Sequence, residues 1–408
     1  MKRTARPHVL IAGGGVAGLE TLLALRAAAG ERVDISLIAP ETKFFNRSMA
    51  VDQPSRIRSG NGLKLREVAG EFGARWHRAT VGDVDSQRQV VVTEEGETLA
   101  YDRLVLALGA RTARQWHVDR VFTYRDAVDV HSYRRLVRQL EDGRVRSVAF
   151  VKPQGASWLV PLYELALATA AVCGAQAVPP ELSFVTPEAE PLEVFGASAS
   201  AGVRAALEES GVRLYTSMHG VPSRPGRLYL SPGGRRLRVD CVVTVPRLVG
   251  PRLRGVRSGP DGFVRADAHG RVLGMEHVFC AGDATSFAIK QGGLAAQQAD
   301  AVAESVAASV GVDIVPRPFR PVLRGLIVGG GSPRYMRARI ATGAGEDCTL
   351  SEEPLWWPPN RLCGRYLAPY LSWRAAAGAT MFQDEASAFA PSRRAIDRSA
   401  GYAELADL

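Results

Sequence analysis

Short apolar runs separated by glycine-rich or charged turns recur along the chain, and the first of them sets the frame. Residues 9–12 form a continuous apolar run that predicts a buried parallel strand, and Gly13, Gly15 and Gly18 follow in G-x-G-x-x-G spacing. Residues 19–29 predict a helix rich in Ala and Leu, and residues 33–39 a second strand. Strand, glycine turn, helix and strand in that order build a site for a dinucleotide pyrophosphate. Gly13 allows a sharp turn, Gly15 lets the backbone approach the phosphates, and Gly18 lets helix and strand pack tightly. The helix N-terminus adds unpaired N–H groups and the positive end of its dipole. Glu41 follows the second strand, where an acidic side chain accepts hydrogen bonds from an adenosine ribose; an exposed loop charge is the alternative.

Further on, residues 43–54 are aromatic, polar and basic without periodicity, as expected of a loop over a ligand. Residues 79–84 and 89–93 read as strands with a hairpin turn at 94–97, and 104–110 as a buried strand ending at Gly109. Residues 126–140 predict a charged amphipathic helix. A second strand–helix–strand unit follows over 147–186, with the turn KPQGAS between its first strand and its helix. That turn has only Gly155 where a phosphate cradle needs two or three glycines, and Pro153 removes a backbone donor, though Lys152 and Ser157 offer side-chain contacts to an anion. Residues 240–246 read as a strand returning to the first domain. The strand at 278–281 ends at Gly282-Asp283, where a carboxylate is placed to hold sugar hydroxyls. A long helix starts at Gly292-Gly293 and aims its N-terminus into the same cleft. The expected units are 1–113 with 241–317, then 114–240, then a small cap over 318–408.

The bulk numbers narrow the classes. A length of 408 residues suits two or three domains. The net charge of +9 is spread along the chain without basic blocks, zinc spacing or a helix-turn-helix signal, which argues against nucleic acid as a partner. The five cysteines are scattered, which argues against a disulfide framework and for a reducing, cytoplasmic compartment. Neither a signal peptide nor an apolar run long enough to span a membrane is expected. Trp356, Trp357, Tyr366, Tyr370 and Trp373 interleave with Arg361, Arg365 and Arg374. That stretch fits either a peripheral contact with the inner face of a membrane or packing against the rest of the protein. The tail after residue 384 is small and polar and is expected to be loosely held.

Five stretches, IAGGGVAGLE at 11–20, LIAPETKFFNR at 37–47, YDRLVLALGA at 101–110, VFCAGDATSFAIKQGGLAAQQAD at 278–300 and PFRPVLRGLIVGG at 318–330, carry a resemblance to the two-dinucleotide-fold flavoproteins. Within them the chain resembles the branch of sulfide:quinone oxidoreductases and type II NADH dehydrogenases. The resemblance implies an α/β fold with two Rossmann-like, FAD- and NAD(P)-binding domains and a C-terminal cap. It implies FAD held by Gly13, Gly15, Ala17 and Gly18 at the pyrophosphate, Glu41 at the ribose, and Val81 at the adenine. Gly109, Gly282 and Asp283 would line the rest of the cofactor, and Lys290, Gly292 and Gly293 would face its pyrimidine end. Lys290 and Glu164 are the implied catalytic side chains, Glu164 lying near the flavin or, alternatively, on a helix surface. No metal is implied. The chain departs from the sulfide-oxidising pattern at Trp158, where those proteins carry a redox cysteine, so sulfide chemistry is not expected. The expected activity is an FAD-dependent oxidoreductase with an acceptor such as a quinone. Rival readings are an NAD(P)H:acceptor reductase using the middle domain, and a flavin-binding sensor without turnover.

Overall fold

The first apolar run becomes β1 (His8–Ala12), whose last four residues are completely buried. Uninterrupted apolar character belongs to parallel strands covered on both faces. The computed structural model describes residues 6–44, 62–125, 129–174, 176–329, 331–341 and 345–380. Along the chain follow β2 (Asp34–Ile38), β3 (Ala74–His77), β4 (Arg103–Leu106), β5 (Arg111–Ala113) and β6 (Val121–Thr123). Then come β7 (Ser147–Val151), β8 (Glu181–Val185), β9 (Val212–Tyr215), β10 (Cys241–Thr244), β11 (Arg247–Val249) and β12 (Val278–Cys280). The last three strands are β13 (Val322–Ile327), β14 (Arg334–Ile340) and β15 (Gly345–Ser351). The helices are α1 (Val16–Ala29), α2 (Leu65–Glu71), α3 (Val130–Glu141), α4 (Val160–Cys173), α5 (Ala197–Glu209), α6 (Gly292–Ser309) and α7 (Leu367–Thr380).

Two parallel five-stranded sheets organise the protein. The first runs β12-β4-β1-β2-β3 and the second β6-β10-β7-β8-β9. In the first sheet the strand order reverses between β1 and β4, so the crevice at their carboxyl ends is a topological switch point. Helices α1 and α6 lie together against this sheet and share one apolar cluster with it. A three-stranded antiparallel meander, Val81–Asp85, Val90–Thr93 and Thr98–Ala100, covers the sheet near Ile38, with the predicted turn between its last two strands.

One sequence expectation fails here. Residues 241–244 do not return to the first sheet; β10 lies between β6 and β7 in the second. Its four residues are all buried, so their pattern fits either sheet, and the choice is made by a long-range contact. The Asp240 carboxylate accepts from the Arg146 and Ser147 N–H groups at 2.8 and 3.1 Å, pinning the strand beside β7. The chain crosses back only at β11, which pairs antiparallel with the outgoing β5.

The C-terminal region belongs to both cores. The β13-β14-β15 sheet buries Leu323, Ile327, Met336 and Ala338 in the cluster of the second sheet, while Leu362, Leu367 and Ala368 join the cluster of the first. Packing accounts for several of the aromatic rings: Tyr370 meets Phe72 edge-on at 5.6 Å and Trp356 meets Tyr335 at 5.1 Å. Trp357 remains 74% exposed. Among the described residues no helix is long and apolar enough to cross a membrane. Residues 45–54 of the expected ligand-covering loop, and the tail after residue 384, lie outside the described residues.

The tightest point of the first sheet gives a stability test. A Cβ on Gly18 would sit 1.8 Å from the Gly13 carbonyl oxygen, which is backbone and cannot swing aside. Gly18→Ala is expected to destabilise the protein by about 1–3 kcal/mol or more through overpacking, read as a lowered denaturation midpoint.

Candidate functional site

The glycine turn folds as it does because its backbone touches the neighbouring strand end. Gly13 has φ +121°, and a Cβ there would lie 2.1 Å from the Ala107 carbonyl oxygen just past β4. Gly15 is different: it precedes α1 in ordinary extended backbone, φ −85°, and a Cβ added to it would have nothing within 4 Å. Neither backbone strain nor protein packing requires glycine there. An opening in front of a helix N-terminus is what a bound pyrophosphate needs.

The second segment arrives at the same place. After β12 the chain turns at Gly282 (φ +77°), and a Cβ on Gly282 would lie 2.8 Å from Ala17 Cβ. Two pieces of chain separated by some 265 residues therefore meet at the switch point. The turn is fixed from α6: Gln298 Oε1 accepts from the Gly282 N–H at 2.7 Å and from Thr285 Oγ1 at 3.3 Å. Asp283 is half-buried in this turn. Gly109, two residues beyond Ala107, has φ +67° and open space around it. Val81 is buried beside Ile38 at the end of β2, and Glu41 is exposed in the loop beyond.

At the α6 N-terminus, Gln291 caps the helix by accepting from the Leu294 N–H at 2.9 Å. Lys290 is only 2% exposed; its ammonium donates to the Thr285 carbonyl and lies 3.8 Å from the centre of the Phe263 ring. Burial lowers its pKa to about 8 against the opposing pull of Asp283 and Cys280. Gly292 and Gly293 lie under residues 361–364: Cβ atoms there would meet Leu362 Cδ1 at 3.4 Å and the Cys363 carbonyl oxygen at 3.3 Å.

That covering segment is held by two buried glutamates, one from each nucleotide-binding unit. Glu164 in α4 has a completely buried side chain, so the helix-surface alternative is excluded. It pairs with Arg361 through two bonds, 2.5 and 2.9 Å, and its Oε1 also accepts from the Val328 N–H at 2.8 Å. Glu20 in α1 accepts from the Tyr366 and Leu367 N–H groups, each at 2.8 Å. Sequence reasoning gave neither Glu20 nor Arg361 this structural role. The legible signal was a lone carboxylate in each of two otherwise apolar helices, GLETLLAL and YELALATA.

The second unit presents a different loop. Gly155 faces Arg247, with 2.9 Å from a Cβ to Nε; the Gln154 N–H is taken by the Gln115 side chain at 2.8 Å. Past the end of β8, Glu188 Oε2 accepts from the Tyr163 and Thr186 hydroxyls, each at 2.7 Å. Burial raises the Glu188 pKa, opposed by these hydroxyls and by Lys152. Burial likewise lowers the pKa of Lys152, opposed by the Glu188 charge. Glu188 was not among the sequence candidates, although it follows the second strand of its unit as Glu41 does in the first. No group of His, Cys, Asp or Glu side chains able to hold a metal occurs among the described residues. The five cysteines are unpaired; burial pushes the Cys241, Cys280 and Cys363 thiols up to about 12.

A switch-point glycine cradle joined by a Gly-Asp turn, beside a second parallel α/β unit, defines a flavin-binding oxidoreductase with two dinucleotide folds. The chain belongs to the pyridine nucleotide-disulphide oxidoreductase family, whose profile matches residues 7–301. It is an FAD-dependent oxidoreductase. It is 28% identical over 332 residues to the ferredoxin reductase component of a chlorobenzene dioxygenase of Cupriavidus, covering 76% of this chain and 74% of that one. A ferredoxin–NAD(+) reductase subunit of a benzene 1,2-dioxygenase system from Pseudomonas putida is 34% identical over 113 residues, only 26% of either chain. The sulfide:quinone oxidoreductase of Aquifex aeolicus superposes with a TM-score of 0.75 at 18% identity, over 85% of this chain and 86% of that one, a likeness of fold.

Two measurements check this geometry. Arg361→Met takes the guanidinium away from the buried Glu164 carboxylate and is expected to cost about 3–5 kcal/mol of stability. Pairing it with Glu164→Gln should recover much of that loss in a denaturation double-mutant cycle. For Lys290 the folded pKa lies below its ordinary 10.5, so the unfolded chain binds more protons above pH about 8. Stability should rise from pH about 8 toward 10.5 in wild type relative to Lys290→Met, and equal slopes in the two proteins would contradict the assignment.

Proposed function

We propose that FAD lies across the switch point of the first sheet and carries electrons from a donor bound at the second unit to an acceptor reached beneath the C-terminal region. The observation that carries this reading is the contact between the Gly282 turn and Ala17, which joins the pyrophosphate loop to the Gly-Asp turn. Gly13, Gly15, Ala17 and Gly18 bind the pyrophosphate, with Gly15 leaving room for it; Glu41 accepts from the adenosine ribose and the Val81 backbone meets the adenine. Gly109 and Gly282 line the middle of the cofactor, and Asp283 accepts from its ribityl hydroxyls. Gly292 and Gly293 present the α6 N-terminus to the pyrimidine end, with the Lys290 charge behind them. These dipole and charge contributions favour added negative charge at that end. Glu164 acts through Arg361, positioning the covering segment rather than exchanging protons. When bound, FAD supplies the two-electron carrier between donor and acceptor. The working division is residues 1–113 with about 250–317 for the FAD unit, the intervening residues for the donor unit, and 318–408 for the cap.

The donor reading we favour is a reduced nicotinamide dinucleotide. Its support is Glu188, held at the end of β8 by Tyr163 and Thr186 through one oxygen, as an acceptor for ribose hydroxyls. The relatives named ferredoxin reductases support the same class. With one glycine in its turn, the site would rely on Lys152 and Ser157 for the phosphates. A quinone acceptor is supported by the exposed Trp357 and by Trp373 on α7. Trp158 in place of a cysteine speaks against sulfide as donor.

The purified protein should be yellow, and Gly15→Glu should lose its FAD, since the side chain fills the opening meant for the pyrophosphate; a mutant retaining as much flavin as wild type removes the assignment. Under anaerobic conditions NADH should bleach the flavin within a turnover time and sulfide should not. Glu188→Ala should raise KM for NADH roughly tenfold or more, the loss of a charged hydrogen bond, with kcat little changed. Bleaching by neither NADH nor NADPH would return the donor question to the sensor reading.

A further inference from the structure

Where α1 crosses α6 lie two carboxyl groups that the proposed cofactor site does not use, Glu20 fully buried and Asp300 half-buried. Glu20 has no solvent exposure and accepts from the first N–H groups of α7 and the residue before it. Those N–H groups have no partner within their own helix, and a carboxylate there also answers the helix dipole. Burial raises the Glu20 pKa, but these N–H donors oppose it and favour the charged form, so of the two carboxyls it is Glu20 that carries the negative charge. Glu20 lies against the face of α6 that carries Asp300: a Cβ on Gly364 would sit 2.6 Å from Glu20 Oε2 and 3.2 Å from the Cβ of Ala296, one helical turn before Asp300. The two carboxyl groups are neighbours there, and Asp300 Oδ1 is buried with no donor facing it among the described residues. Two carboxyls make a hydrogen bond only if one of them keeps a proton.

We propose that Glu20 and Asp300 share one proton, carried on Asp300, and that this proton latches residues 361–367 and the start of α7 onto the first unit. The remaining charged and titratable groups around the pair are accounted for. Glu304 of α6 binds Arg317 at 2.6 Å and lies 4.0 Å from Arg365. Arg365 itself lies over the Tyr366 ring at 5.3 Å. Tyr370 and Arg374, further along α7, bind Glu71 of α2 and so anchor the far side of the helix independently. A cavity of about 350 Å³ lined by Asp300, Glu304, Arg317 and Arg365 adjoins the pair and gives the proton a route to water.

The direction of the pH effect follows. Burial, then the Glu20 charge, hold the Asp300 carboxyl well above its usual range in the docked state. Once the segment is released, Asp300 returns toward an ordinary carboxylate. Docking is thus strongest at low pH and weakens as pH rises toward the docked pKa, the opening constant growing by up to about tenfold per pH unit. Because residues 362 and 363 lie on Gly292 and Gly293, a released segment would uncover the α6 N-terminus.

The test is hydrogen exchange of the full-length protein as purified, read by mass spectrometry on peptides covering 361–374 from pH 5 to 9 and corrected for intrinsic exchange chemistry. Wild type should show opening that increases with pH by up to about tenfold per unit over part of that range, with peptides over α5 unchanged. Asp300→Asn keeps an N–H donor toward Glu20 but cannot titrate, so it should remove the slope and stay at the low-pH level of wild type. Glu20→Gln should exchange faster at every pH, because the charged cap is gone, and its slope should end at a lower pH than in wild type, because burial still raises the Asp300 pKa but the Glu20 charge no longer does. A flat wild-type profile overturns the proposal, as does a slope that survives in Asp300→Asn.

Discussion

The close approach of bare backbone at the first glycine turn is the constraint on which the rest depends. Gly13 lies against the end of β4 and Gly18 against Gly13, with no room for a methyl group at either point. That contact draws α1 down onto the sheet so that its N-terminus opens at the switch point. With α1 in that place, α6 can lie alongside it and bring the Gly282 turn onto Ala17. A turn, two helices and two remote strand ends are set by a few atoms of clearance. The opening at Gly15 is the by-product that chemistry uses.

The C-terminal segment depends on a second principle, the cost of burying charge. Glu164 and Glu20 sit on buried, mainly apolar stretches of their helices, and residues 361–367 bring each of them donors. Arg361 answers one glutamate with a guanidinium; the start of α7 answers the other with backbone N–H groups. The segment thereby touches both nucleotide-binding units, and its order is coupled to the packing of each. Burial of Leu362, Leu367 and Ala368 in the first core adds non-directional attraction, but the glutamates fix the register.

Local pattern made much of this legible. The strand–glycine–helix–strand unit, the Gly-Asp turn and the long α6 could be read because each is a contiguous run whose spacing has one physical meaning. The strand at 241–244 was assigned to the wrong sheet because a fully buried strand shows no face, and the decision rests on Asp240 reaching back to Arg146. Arg361 was lost among other arginines near aromatic rings; its partner is 197 positions away, beyond any periodicity. Glu188 was missed because it follows a strand by a short irregular stretch and takes its orientation from Tyr163 on a helix. The pairing of Glu20 with Asp300 joins helices far apart in sequence.

The cysteines give the protein a chemical temperament. Cys241, Cys280 and Cys363 sit in surroundings that keep each sulfur protonated at any physiological pH, and no two cysteines are joined. Nucleophilic sulfur is a thiolate, so these three are poor targets for peroxide, for mixed-disulfide exchange and for electrophilic poisons. At these three positions sulfur is kept out of exchange with the thiol pool around the protein.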